Sequence, residues 1–209
     1  MADLWIRISQ EREALRDLLP TLTEGQWKAP SLCEGWSVHD VVAHMISAYE
    51  REILPTAIGL LRSGFSLDRH NERTMQRIGA VSNKTLVARY NATVDLRSRL
   101  PIPTQFVLAE SLVHNEDIFM ALDRERVVPI EAVLIVAHLY RSIGVARRWK
   151  KTNPYMKLVA SNADWSYGDG DVARGPLLAI VMVLTGRTVA SRFLEGPGAA
   201  RLQRERSAV

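Results

Sequence analysis

A mainly α-helical fold, a bundle of helices carrying a small mixed α/β appendage, is what this 209-residue sequence predicts. Two observations lead there. Apolar residues recur at helical spacing in successive segments that end at prolines, as Leu4, Ile8, Leu15 and Leu19 do before Pro20. After about residue 152 this rhythm gives way to a β-like run and a stretch rich in Gly and Asp. A bundle over residues 1–152 with a small segment, 153–209, packed on it is therefore expected.

The first helix is expected from Asp3 to Leu19, and Thr21 to Trp36 as a loop carrying Pro30, Cys33 and Gly35. Ser37-Val-His-Asp40 has the form of a capping box, a hydroxyl at the N-cap and an acid three residues on. A second helix starts there and runs through Val41, Val42, Met45, Ile46 and Tyr49 to Leu54, where Pro55 stops or kinks it. Periodicity weakens between Gly64 and Asn83, a stretch that suits a lid or crossover connection as well as an exposed loop. The third helix covers Lys84 to Leu100 before Pro101, and Pro103-Thr104 opens the fourth. A fifth spans Pro129 to Trp149, broken by Asn153-Pro154. Met156 to Ala160 forms a short strand, and Gly175 to Gly186 a buried helix closed by its last glycine.

At 47% hydrophobic and 24% charged residues the chain can bury one good core and has the balance of a soluble globular protein. The Met1-Ala-Asp-Leu-Trp-Ile-Arg start lacks the basic and then apolar pattern of an export signal. The longest apolar run, Pro176 to Leu184, falls far short of the roughly 20 residues that span a bilayer. One cysteine, Cys33, excludes an intrachain disulfide and suits a reducing compartment, so the cytoplasm is the expected address. The net charge of +4, with basic clusters at Arg147 to Lys151 and in the tail, lacks the aromatic interleaving or recognition-helix pattern of a nucleic-acid binder. Oligomeric state is left open.

Chemistry concentrates in the fourth helix. At about 100° per residue, Glu110, His114 and Asp117 fall within roughly 60° of one another. Phe106, Val113 and Met120 border this polar stripe on one side, Val107 and Ile118 on the other. Desolvated carboxylate and imidazole groups need a partner, and a metal ion is one answer; a hydrogen-bonded pair or a solvated stripe is another. A catalytic zinc site uses three protein ligands. For the third, His44 shares a narrow face of the second helix with Asp40 and Ser47, at a depth comparable with Glu110 and His114 in theirs. His39 lies in the first turn, His70 in the weakly patterned stretch, and His138 at a boundary of the fifth helix where packing explains it. Asp40 is explained as a cap, Asp117 suits orienting His114 as well as binding metal, and Cys33 is expected to pack rather than react.

Trp27-Lys-Ala-Pro30-Ser-Leu-Cys33-Glu-Gly35-Trp36-Ser-Val-His-Asp40-Val-Val-Ala-His44-Met, followed by Glu110-Ser-Leu-Val-His114-Asn-Glu-Asp117-Ile, resembles the mycothiol-dependent maleylpyruvate isomerase family of the DinB-like superfamily. Gly175-Pro-Leu-Leu and Leu184-Thr-Gly186-Arg187 are similar to that family's C-terminal segment. The resemblance implies a DinB-like four-helix bundle and a divalent metal, usually zinc, on His44, Glu110 and His114. It also implies mycothiol or a similar low-molecular-weight thiol as co-substrate. The thiol would be transferred to a small electrophile, or added to a cis double bond and eliminated after rotation. Arg187 is similar in place to an arginine that the family uses near its substrate, and it also suits a role at the end of its own helix. The segment after residue 152 is short for that family's C-terminal domain. A non-catalytic metal-binding helical module is the alternative function.

Overall fold

The computed structural model describes residues 2–49, 74, 78–97 and 102–207. The chain divides into two compact units, Met1–Glu125 and Arg126–Val209.

In the first unit, α1 (Ala2–Leu18) runs into a 3-10 turn (Leu19–Thr21) that holds Pro20. A short helix, α2 (Glu24–Lys28), then interrupts what the sequence suggested was loop; Thr23 and Gln26 close a capping box around its first turn. Hydrophobic periodicity cannot reveal a helix of five residues; Thr23 with Gln26 three positions on was the available signal. Next come α3 (Val38–Tyr49), α4 (Asn83–Thr93) and α5 (Thr104–Phe119). The helix start at Ser37 is capped as expected: the Asp40 carboxylate accepts from the Ser37 amide at 2.9 Å, and the Asp40 amide donates to Ser37 Oγ at 3.2 Å. The expected extension of this helix to Leu54, the stop at Pro55, and His70 lie outside the described residues. The third helix stops at Thr93, short of the expected Leu100.

Four helices of this unit contact one another in a closed cycle, α1 with α5, α5 with α3, α3 with α4 and α4 with α1, which is a four-helix bundle. Its core joins Leu15 and Leu19 to Val41, Val42, Met45 and Ile46 of α3, Leu86 and Tyr90 of α4, and Ile118 and Phe119 of α5. Nine of the twelve residues of α3 are buried, so this helix is largely sheathed by its neighbours, and His44 and Ser47 are desolvated with the rest. Arg12 is one consequence of such packing. The residue is 1% exposed; its guanidinium stacks 3.9 Å over the Tyr49 ring and donates to the carbonyls of Thr93, Val94 and Leu96 at and beyond the end of α4.

The second unit starts earlier than the expected boundary after residue 152. The anticipated fifth helix is two, α6 (Ile130–Ser142) and α7 (Val145–Thr152), separated at Gly144, whose φ of +82° belongs to a left-handed turn. Both helices pack with α8 (Leu177–Leu184), and α8 also contacts the strand β1 (Met156–Ala160), so the segment 126–152 shares its core with the residues after it. β1 is central in a three-stranded sheet, antiparallel to β2 (Ser166–Gly168) and parallel to β3 (Asp171–Gly175). Alternate residues Met156, Leu158 and Ala160 are buried, the period-two pattern of a strand with one face on a core. α8 begins where Asn162 Oδ1 accepts from the Leu177 amide at 2.9 Å. It ends in a Schellman motif: Gly186 (φ +90°) donates to Val183 and Arg187 to Met182. A 3-10 segment (Thr188–Phe193) and α9 (Pro197–Ser207) complete the unit. Among the described residues no helix is long and apolar enough to cross a membrane.

Candidate metal centre

The bundle brings His44 of α3 to Glu110 and His114 of α5. His44 Nε2 lies 2.8 Å from Glu110 Oε1, and His114 Nε2 lies 3.7 Å from the same oxygen. The two imidazole rings meet edge to face with centroids 4.9 Å apart, and Trp36 covers His44 with its ring centroid at 5.0 Å. One ligand atom from each of the three residues lies within 4.8 Å of the other two. Four-coordinate zinc with bonds of about 2.0–2.1 Å sets its ligand atoms roughly 3.3 Å apart, between the two separations just given. Two imidazole nitrogens and a carboxylate oxygen are also the right donors. The residues therefore fit a divalent cation in size and chemistry.

Exposure falls from the carboxylate to the histidines: 33% for the Glu110 side chain, 14% for His114 and 6% for His44. The cluster thus opens to solvent on the Glu110 side. Behind His114 a second layer forms. Its Nδ1 is 2.9 Å from Asp117 Oδ2, and Cys33 Sγ donates to the same oxygen at 3.0 Å. Asp117 is fully buried. Burial of His114 disfavours its charged form, yet the Glu110 carboxylate and the contacts with Asp117 and Cys33 prevail, pushing its pKa up to about 10.

The structure thus brings together His44, Glu110 and His114, the residues singled out in the sequence. His39, in the first turn of α3, is part-buried, with Nδ1 2.7 Å from Asn83 Oδ1 and Nε2 2.8 Å from the Gly79 carbonyl. His138, expected to be packed, is exposed on α6 in the second unit. Arg187, also in the second unit, donates from Nη1 to the Thr185 carbonyl at 3.0 Å, the helix-end contact that its position suggested. Cys33 and Asp117 emerge as partners of His114. A second group of potential ligand atoms, Cys33, His114 and Asp117, shares His114 with the first. No local pattern could pair Cys33 with Asp117, since 84 residues separate them.

Residues 8–95 match the family model of the mycothiol maleylpyruvate isomerase N-terminal domain. Over that stretch the chain is similar to that domain. The mycothiol maleylpyruvate isomerase N-terminal domain so matched includes Cys33, Trp36 and His44; Glu110 and His114 follow it. Two solved structures share the fold. A mycothiol-dependent maleylpyruvate isomerase is 14% identical with a TM-score of 0.63, and a form of such an enzyme with one histidine changed to alanine is 16% identical with a TM-score of 0.62. Each alignment covers 95% of this chain and 93% of the other. The expected shortness of the C-terminal segment is thereby corrected: the second unit begins at Arg126, before the boundary from which that shortness was judged. No curated protein matches the chain significantly in sequence.

Proposed function

We propose that the chain is a metal-dependent enzyme in which His44, Glu110 and His114 hold a divalent cation, zinc in the first instance, and a mycothiol-like thiol is the co-substrate. The convergence of two Nε2 atoms and one carboxylate from two helices, desolvated on the histidine side and open on the glutamate side, carries this reading. The family of residues 8–95 supports the choice of thiol. A cation held by these residues would lower the pKa of a thiol bound to it and so favour the thiolate near neutral pH.

The chain's own residues do the rest. The two histidines, anchored on neighbouring helices, set the positions of their Nε2 atoms, and Glu110 supplies negative charge at the solvent edge. Trp36 shields the His44 ring from water. The protein needs no nucleophilic cysteine of its own, which accords with Cys33 being engaged by Asp117. The thiolate adds to the electron-poor carbon of a cis double bond, the new single bond rotates, and elimination returns the thiolate with the trans product. Transfer of the same thiolate to another small electrophile uses the same arrangement. Arg187 is kept as the candidate for pairing with a substrate carboxylate, since a guanidinium matches it with two parallel hydrogen bonds.

The test is direct. Purified protein loaded with zinc should hold one ion per chain and consume mycothiol with an electrophile from a panel that includes maleylpyruvate. Absence of stoichiometric metal, with none gained on incubation with zinc, refutes the proposal. Stoichiometric zinc without any thiol-dependent turnover, together with unfolding on chelation, would instead support a non-catalytic metal-binding module.

A further inference from the structure

We infer that Cys33 and Asp117 are positioning residues for His114: the Cys33 thiol holds the Asp117 carboxylate, and that carboxylate holds the His114 ring with its proton on Nδ1, leaving the Nε2 lone pair for the ligand set. The inference rests on the proposed metal reading and assigns roles to two residues outside the triad.

A neutral imidazole carries one N–H and one lone pair, and the group facing the first nitrogen decides which side can ligate. An ionised carboxylate only accepts, so Asp117 Oδ2, 2.9 Å from Nδ1, selects the Nδ1–H form. The same oxygen takes the S–H of Cys33 at 3.0 Å, and Cys33 Sγ lies 3.7 Å from Nδ1, so the three atoms form a closed triangle. A fully buried carboxylate is costly unless its oxygens are supplied with donors, and the thiol supplies one without adding charge.

The loop that carries the thiol is itself fastened. Ser31 donates from its amide and its hydroxyl to the Trp36 carbonyl at 2.8 Å each, and accepts from the Cys33 amide at 3.1 Å. Trp36 in turn donates to the Cys33 carbonyl at 3.0 Å. At the loop's foot, Val38 donates to the Ala29 carbonyl at 3.0 Å. Leu32 donates to the Asp117 backbone carbonyl at 3.1 Å, pinning the loop to α5 beside the side chain that Cys33 engages. Because Trp36 from the same loop packs on His44, one short segment contacts both histidines. Cys33 is thereby neither a packing residue nor a nucleophile.

The experiment compares full-length protein with Asp117→Asn, Cys33→Ala and Cys33→Ser. Zinc affinity is measured by competition with a chromophoric chelator, and the ring nitrogens of His114 are followed by 1H–15N NMR. Partners of this kind shift metal affinity by about 10–100-fold, so Asp117→Asn should weaken zinc by that much and Cys33→Ala by about tenfold. Cys33→Ser, which restores a donor, should recover most of the loss. The Nδ1–H signal should be present in the parent protein and displaced in Asp117→Asn. Unaltered zinc affinity and an unaltered His114 spectrum in Asp117→Asn and Cys33→Ala overturn the inference. Two zinc ions per chain, one of them lost in Cys33→Ala, also overturn it, because Cys33 and Asp117 would then be ligands. A parent protein that takes up no zinc sinks the metal reading alone; displacement of the His114 Nδ1–H signal in metal-free Asp117→Asn and Cys33→Ala, against none, still decides whether Asp117 and Cys33 hold the ring.

Discussion

Raising the pH should strengthen zinc binding while weakening the metal-free fold, and both effects trace to one proton on His114. The imidazole must present a lone pair at Nε2 to coordinate, yet with its pKa pushed up to about 10 by Glu110, Asp117 and Cys33 against the cost of burial, the metal-free site holds the charged form at neutral pH. At pH 7.5 removing that proton costs about 3 kcal/mol, from roughly 1.4 kcal/mol per pH unit. Apparent affinity should accordingly climb about tenfold per unit, or about 100-fold between pH 6.5 and 8.5, with about one proton released per ion bound. For the metal-free protein the sign reverses. A folded-state pKa raised above the ordinary 6.5 contributes stability that is complete below pH 6.5 and is lost as pH rises toward 10, at most about 5 kcal/mol. Titration calorimetry in two buffers of different ionisation enthalpy counts the protons, and urea unfolding of chelator-treated protein follows the stability. Affinity that stays flat between pH 6.5 and 8.5, with no proton released, would refute the reasoning.

Replacing Glu110 by Ala removes the oxygen that faces both histidines, so zinc occupancy and thiol-dependent turnover should be lost while the far-UV circular dichroism stays helical; retained stoichiometric zinc would argue against the ligand set. Arg12→Leu should lower the stability of the bundle by about 3 kcal/mol in urea titrations, since hydrogen bonds to a charged group are worth about 1.5–3 kcal/mol and those given up share one nitrogen. A change under about 0.5 kcal/mol would show that Arg12 is only tolerated there. Gly186→Ala places a side chain at φ +90° in open space, so the cost should be the backbone preference alone, about 1 kcal/mol, seen as a modest fall in the unfolding midpoint without loss of zinc.

The trio proposed to hold the metal drew attention because each part left a local trace in the sequence. Glu110 and His114 are one helical turn apart in a stretch whose other faces are apolar, and His44 sits on the scarce polar face of a helix otherwise made for burial. The Ser37 cap and the Gly186 stop were visible for a similar reason, since a helix end uses few residue types and each acts over a few positions. The break at Gly144 was missed because apolar periodicity carries on across it, and a glycine inside such a pattern does not announce its sign of φ. β2 and β3 escaped notice because three to five residues rich in Asp and Gly show no alternation worth the name; pairing with β1 makes them strands.

By itself the sequence determined a helical chain with a β-containing C-terminal part, the helix start at Ser37 and the helix stop at Gly186, and which polar side chains would share one stripe on α3 and on α5, because periodicity and capping act within a few residues. Only the tertiary structure decided where the two units divide, that Arg12 would be buried against Tyr49 and the far end of α4, and that Cys33 would meet Asp117 behind His114. Those contacts join residues tens of positions apart, and their energy comes from desolvation and hydrogen bonding that exist once the helices have packed.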